Sequence, residues 1–291
     1  MRKINFMGNR NLIRFDWAIK RLLRNKASFT VLEGFLSELL KDDIEIQSIL
    51  ESESNKQYDN DKYNRVDMLV KNSKGELIII EIQNQSEYDY FHRMAYGTSK
   101  VLTEYISVGE PYSEIKKVLS INVVYFDLGQ GEDYVYHGKT DFYGIHKSDK
   151  LKLSEKQMEI LGKVEPFQIF PEYYVIKVNQ FNDVATNSLD QWIYYFKNNE
   201  IKEEFTAKGI SQAKELWRVD KLSQEEQLNY NAHIKNLRNE ASRLWTMKID
   251  AEDRVRKDEK MHIAKGMKMK NIKIQDIIDL TGLTKDEIEK L

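Results

Sequence analysis

Two acids carry the chemistry this sequence can offer. The chain has 291 residues, no cysteine and only five histidines, none of them four residues apart. Thiolate nucleophiles, disulfides and cysteine-ligated metals are excluded, and a histidine-based zinc site has no helical ligand pair to build on. Attention therefore falls on carboxylates whose spacing places them side by side. Asp67-Met68-Leu69-Val70 and Gly75-Glu76-Leu77-Ile78-Ile79-Ile80-Glu81-Ile82-Gln83 flank Asn72-Ser73-Lys74-Gly75. That tetrad suits a type I turn followed by a left-handed glycine, a three-residue hairpin loop with a G1 bulge. Asn72 then faces Glu76, and partner numbers sum to 148.

The side-chain pattern supports this register. One face collects Val66/Ile82, Met68/Ile80 and Val70/Ile78, all apolar, and reads as core. The other collects Leu69/Ile79, Asp67/Glu81 and Arg65/Gln83, apolar near the turn and polar at the far end. A slip by one residue would pair apolar with polar positions throughout. Asp67 is thus expected opposite Glu81, with Cβ atoms about 5 Å apart, and Gln83 on the same face. Two adjacent carboxylates repel. A hard cation between them removes the repulsion, and oxygen donors with open water positions suit Mg²⁺, with Mn²⁺ as a substitute. The plainer alternative is a pair of solvated carboxylates on an exposed sheet face.

The D…E-x-Q segment resembles the D…(D/E)-x-K core of the PD-(D/E)XK nuclease superfamily, with Gln83 in the lysine's place. A wider set of segments is similar to the recombination-promoting nuclease (Rpn-like) family of that superfamily, a transposase-like group in which E-x-Q is the usual form. These are Phe15-Asp16-Trp17-Ala18-Ile19-Lys20, Val66 to Val70, Ile80 to Gln83, the helix with Arg93 and Tyr96, Gly109-Glu110-Pro111-Tyr112, Ser120-Ile121-Asn122, Trp192 to Phe196 and Leu280-Thr281-Gly282-Leu283-Thr284. The resemblance implies a restriction-endonuclease-like α+β core, a mixed sheet flanked by helices, followed by a helical C-terminal region. It implies a metal-dependent DNA endonuclease that hydrolyses phosphodiester bonds in recombination or transposition of mobile DNA. Asp67, Glu81 and the backbone carbonyl of Ile82 would hold Mg²⁺, and Gln83 would orient a water without supplying a cation. Arg65 beside Gln83, or a second metal, would meet the charge deficit. Asp16, the single acid among eight basic groups in residues 1–30, would reach the metal site from the first helix; the alternative is that it serves only the helix dipole. Arg93, Tyr96 and Lys100 share a helical face by spacing and would meet DNA phosphates, or else form a solvated face.

Several elements must position these residues. Phe15, Ala18, Ile19 and Leu22 predict a first helix; Leu32, Phe35, Leu36, Leu39 and Leu40 predict a second, capped by Ser28 or Thr30. After the hairpin, a helix is expected over about residues 87–106, strands over 118–127 and 133–137, and a late strand plus loop over 158–176. Helices are expected from about residue 187, with 210–257 long and charged. The expected divisions are a nuclease-like domain over 1–180, a helical region over 181–260 and a helix–turn–helix-like tail over 261–291, in which Thr284 and Glu287 form a capping box. The tail's last helix is acidic, which suits packing better than groove reading.

Composition limits the alternatives. Lys plus Arg number 45 and Asp plus Glu 47, a net charge of −2 that excludes a uniformly basic nucleic-acid binder. Charge is segregated all the same: residues 31–61 carry nine acids against Lys41 and Lys56. Apolar runs such as Leu77 to Ile80 are far too short to cross a bilayer, and the first residues lack a continuous apolar stretch, so a cytoplasmic protein without a membrane partner is expected. DNA is the expected partner, and cutting both strands would imply a homodimer. The competing functions are a catalytically weak nuclease-fold DNA-binding or scaffold protein and a helix–turn–helix regulator.

Overall fold

The computed structural model describes residues 12–19, 29–50 and 67–291. Two compact units divide between Ser223 and Gln224.

The first unit is a six-stranded mixed sheet flanked by helices. Its strands are β1 (Ile46–Leu50), β2 (Met68–Asn72), β3 (Leu77–Gln83), β4 (Val118–Val124), β5 (Val135–Gly138) and β6 (Glu172–Lys177), in the order β1-β2-β3-β4-β6-β5. β1, β2 and β3 are antiparallel neighbours, β3, β4 and β6 run parallel, and β5 closes the far edge antiparallel. The β2–β3 register is Met68↔Ile80, Leu69↔Ile79, Val70↔Ile78 and Lys71↔Leu77, each pair summing to 148 as expected. The turn is the bulged type: Asn72 N–H donates to the Glu76 carbonyl, Gly75 N–H donates to the Asn72 carbonyl, and Gly75 has φ +77°.

Helix α1 spans Thr30–Leu40 and α2 spans Tyr90–Glu104. The expected cap at Thr30 is not made: Thr30 is the first helical residue and Phe29 precedes it without a side-chain cap. Ser28 and Leu22 lie outside the described residues. Tyr90, Met94, Thr98 and Val101 form the buried stripe of α2, spaced to face a sheet. Tyr90 and Met94 pack with Val124, Phe126 and Val175, and Val101 with Leu69, Leu77 and Ile79. The other sheet face is equally dry, with Met68, Val70, Ile78 and Ile80 fully buried. The central strands are therefore covered on both sides, as parallel strands require.

The remaining elements depart from expectation in instructive places. Residues 155–161 form a helix, α3 (Glu155–Leu161), started by a Ser154/Gln157 capping box and stopped by a left-handed Gly162. β1 is a strand that the sequence pattern did not single out. Helices α4 (Ser188–Asn198) and α5 (Ile210–Leu216) belong to the first unit. Phe15, Phe35, Trp192, Phe196 and Trp217 form an aromatic cluster, with Phe15 stacked 4.0 Å from Phe196. That cluster ties residues 181–223 to the N-terminal part of the chain, so the division falls at 223/224 where 180/181 was expected.

The second unit is a single 46-residue helix, α6 (Gln224–Met269), followed by α7 (Ile274–Thr281) and α8 (Lys285–Glu289). The expected helix over 210–257 is interrupted after Leu216 and continues twelve residues past Lys257. Ala264, Ile277, Leu283 and Ile288 form this unit's core. The Thr284/Glu287 capping box is present, and Gly282 makes the turn with φ +67°.

Candidate active site

β2 and β3 place the two acids. Ladder bonds alternate along an antiparallel pair. The ladder runs to the pair Met68/Ile80, and Asp67 and Glu81 lie one step beyond it. β2 ends at Met68, and Asp67 turns its carboxylate onto β3, where Oδ2 accepts the Ile82 N–H at 2.7 Å. N–H and C=O of one strand residue share an edge, so the Ile82 carbonyl faces the Asp67 side of β3 as well.

Helix α2 then closes over this face. Arg93 extends to the sheet, its Nη2 3.5 Å from Glu81 Oε2 and its Nη1 3.1 Å from Glu87 Oε1. The Gln83 side-chain amide donates to the same Glu87 carboxylate. Burial opposes the Arg93 charge, but Glu81 and Glu87 outweigh it and hold the guanidinium above its ordinary pKa. A pocket between α2 and strands β3 and β4 is lined by Glu81, Tyr90, Arg93, Met94, Ser120 and Asn122. The Tyr90 hydroxyl donates to Asn122 Oδ1 at 3.2 Å. Burial first, and then the negative field of Glu81, Asp67 and Glu87, push the Tyr90 phenol well above its usual pKa, so it stays a neutral donor.

Asp16 approaches from the N-terminal helical segment, residues 15–19. It is 3% exposed. Its carboxylate accepts from Arg14 Nε at 3.2 Å, from the Trp17 N–H at 2.8 Å and from Asn84 Nδ2 at 3.3 Å, while Arg14 Nη2 donates to Asn84 Oδ1 at 3.1 Å. Asn84 follows Gln83 directly, so Asp16 is anchored at the C-terminal end of β3. The Arg14 guanidinium lies 5.5 Å from the Tyr125 ring centre, within cation–π range.

The remaining expected residues separate. Tyr96 is exposed, and Lys100 pairs with Glu104 at 3.6 Å on the outer side of α2. Arg93 instead turns inward, and that is the main departure from a shared phosphate-facing row. Arg65 lies outside the described residues. Glu87, Asn84 and Arg14 went unnoticed in the sequence. Glu87 was masked by placing the start of α2 at 87; the helix starts at Tyr90, and the loop before it folds Glu87 back beside Gln83. Arg93 could have been placed, since it adjoins Met94 in the buried stripe.

The donor set can be tested for a cation. Among the described residues no group of three or more His, Asp or Glu side chains gathers at metal-holding distances. The groups nearest one another there, the Asp67 and Glu81 carboxylates and the Ile82 main chain, offer oxygen donors, which suit a hard divalent cation and not a nitrogen- or sulfur-seeking metal.

Residues 13–247 match the family described as PD-(D/E)XK nuclease family transposase. The chain belongs to this family. The match spans Asp16, Asp67, Glu81, Gln83 and Arg93 and runs into α6. The family's α+β architecture agrees with the mixed sheet and its flanking helices, and membership places the chain among nuclease- and transposase-like proteins. No curated protein and no solved structure matches it. Among the described residues no helix is long and apolar enough to cross a membrane.

Proposed function

We propose that this PD-(D/E)XK family member is a Mg²⁺-dependent endodeoxyribonuclease acting on mobile DNA in the cytoplasm. The observation that carries the reading is that Asp67 accepts the N–H of Ile82, next to Glu81, which itself pairs with Arg93. Asp67, Glu81 and the Ile82 carbonyl would hold the divalent cation typical of such nucleases, which supplies charge neutralisation at the scissile phosphate and acidifies an attacking water. The chain's own residues do the rest. Arg93 contributes the positive charge that Gln83 lacks, and it shares that charge between Glu81 and Glu87. Gln83 orients a water or a phosphate oxygen through its amide, with Glu87 fixing the amide's rotation. Asp16 holds Asn84 and so fixes the end of β3. Water attacks phosphorus, a bridging P–O bond breaks, and the leaving oxygen takes up a proton.

DNA would lie along the outer side of α2. Lys100 and Arg65 are assigned to backbone phosphates, and Tyr96, with the exposed rings of Tyr88 and Phe91, to bases or sugars. Binding on such contacts weakens steeply with salt and depends little on sequence. A second reading draws on one observation: the Gln83 amide is already engaged by Glu87, as in a nuclease fold that binds DNA without turnover. Nicking of supercoiled plasmid with Mg²⁺, Mn²⁺ or EDTA separates the two. Metal-dependent nicking lost in Glu81→Ala supports the nuclease, and binding without nicking supports the scaffold.

A further inference from the structure

Helix α6 is about 69 Å long at 1.5 Å per residue, and it carries large apolar groups in water. Leu244 is 48% exposed, Trp245 57%, Met247 59% and Val255 57%. Their spacing is ordered. The half-buried Ile234, Leu237 and Ala241 and the exposed Leu244, Ala251 and Val255 follow one another in steps of three, four and seven, with Lys248 filling the one gap in the seam. A 3.5-residue repeat is the pattern of a helix built to pair with another helix.

We infer that α6 pairs antiparallel with α6 of a second copy of this chain. Charge selects both partner and direction. An in-register parallel pair would stack Lys248 on Lys248 and, one layer beyond Val255, Asp258 on Asp258, both repulsive. An antiparallel pair whose core residue numbers sum to 492 avoids both. Leu237 then meets Val255, Ala241 meets Ala251, Leu244 meets the stem of Lys248, whose ammonium reaches water, and at each end of the seam Ile234 meets Asp258. The flanking positions agree independently. Arg238 falls opposite Glu252 and Glu240 opposite Arg254, each pair occurring twice by symmetry. Trp245 meets its own copy on one side of the two-fold axis and Met247 on the other. Arg238 and Glu240 have contacts within their own chain; a guanidinium with five donors and a carboxylate with two oxygens accommodate a second partner. A closed two-fold interface of this kind is self-complementary and does not propagate.

The test uses the full chain, whose lack of cysteine makes single introduced thiols readable. Sedimentation at micromolar concentration should give a dimer. Leu244→Asp, at an exposed position, should leave the helical circular dichroism unchanged and weaken the dimer by about 10²-fold or more. Met247→Cys should oxidise to a covalent dimer. Leu237→Cys alone should not, but Leu237→Cys mixed with Val255→Cys should. A monomeric wild type, a Leu244→Asp variant that dimerises normally, or self-crosslinking of Leu237→Cys would each overturn the proposal. It stands apart from the nuclease reading: a monomer that nicks DNA refutes the pairing alone, and a dimer that does not nick refutes the nuclease alone.

Discussion

The two ends of the parallel strands use carboxylates in opposite ways. At the N-terminal end of β6, Glu172 is 5% exposed and is met by Lys117 just before β4, by His137 Nε2 at 2.6 Å and by the Tyr174 hydroxyl at 3.3 Å. Burial would raise this carboxyl, but the hydrogen bonds from Lys117 and His137 outweigh it and hold it below its usual pKa. At the C-terminal end of β3, Arg93 pairs with both Glu81 and Glu87, and Asp67 accepts the Ile82 N–H beside Glu81. The first arrangement is a matched set that holds strands together. The second shares one guanidinium between two carboxylates beside a pocket, an arrangement typical of functional sites.

The comparison is broken most sharply by deletion at the active-site end. Asp67→Ala and Glu81→Ala should each lower metal-dependent nicking by about 10³-fold or more, since a single electrostatic element is commonly worth 10²–10³. Thermal stability should hold or rise as like charges are separated. At the other end the signs reverse. Glu172→Ala should lower stability by about 2 kcal/mol, because Lys117, half-buried, loses its acid, while nicking at a permissive temperature stays near wild type. Urea unfolding and plasmid nicking on the same preparations measure both.

Arg93 and Gln83 sharpen the contrast at intermediate size. Arg93→Ala should reduce nicking about 10²-fold while lowering the Mg²⁺ concentration for half-maximal rate, because the guanidinium competes with the cation for Glu81. Gln83→Ala should cost about tenfold, the size of one hydrogen bond to a charged group. Gln83→Lys is expected to keep or raise activity.

Much of this site was legible before any coordinates. The hairpin followed from period-two apolar alternation and from a turn whose fourth residue must accept positive φ, both local signals. The register followed as far as Met68/Ile80, with Asp67 and Glu81 one step beyond it. The partners across space were not legible. Glu87 belongs to a loop whose path depends on where α2 begins, and the Asp16–Asn84 contact spans 68 residues. The extent of the first unit was missed because α4 reads as an ordinary amphipathic helix. Only packing shows that Trp192 and Phe196 complete the cluster around Phe15. Helix α3 was missed although Ser154, Gln157 and Gly162 mark its ends, because seven residues carry too little periodicity to stand out.

The smallest predicted effect concerns the tail. Glu287 is held down to about 2 by the Thr284 N–H, by Lys257 and by the Thr284 hydroxyl. Its ionised form therefore stabilises the cap fully above the unfolded value near 4.5, and this contribution is lost as pH falls through about 2. Tail amide exchange should accelerate across that window in wild type and show no such step in Glu287→Gln.

The central claim is that the carboxylates of Asp67, just before β2, and Glu81, on β3, are catalytic and not a solvated surface feature. Nicking of supercoiled plasmid by wild type and Glu81→Ala, at matched folded concentration with Mg²⁺ and with EDTA, tests it most directly. The account predicts nicking by wild type with Mg²⁺, none with EDTA, and none above background for Glu81→Ala. Equal nicking by the two proteins would contradict it.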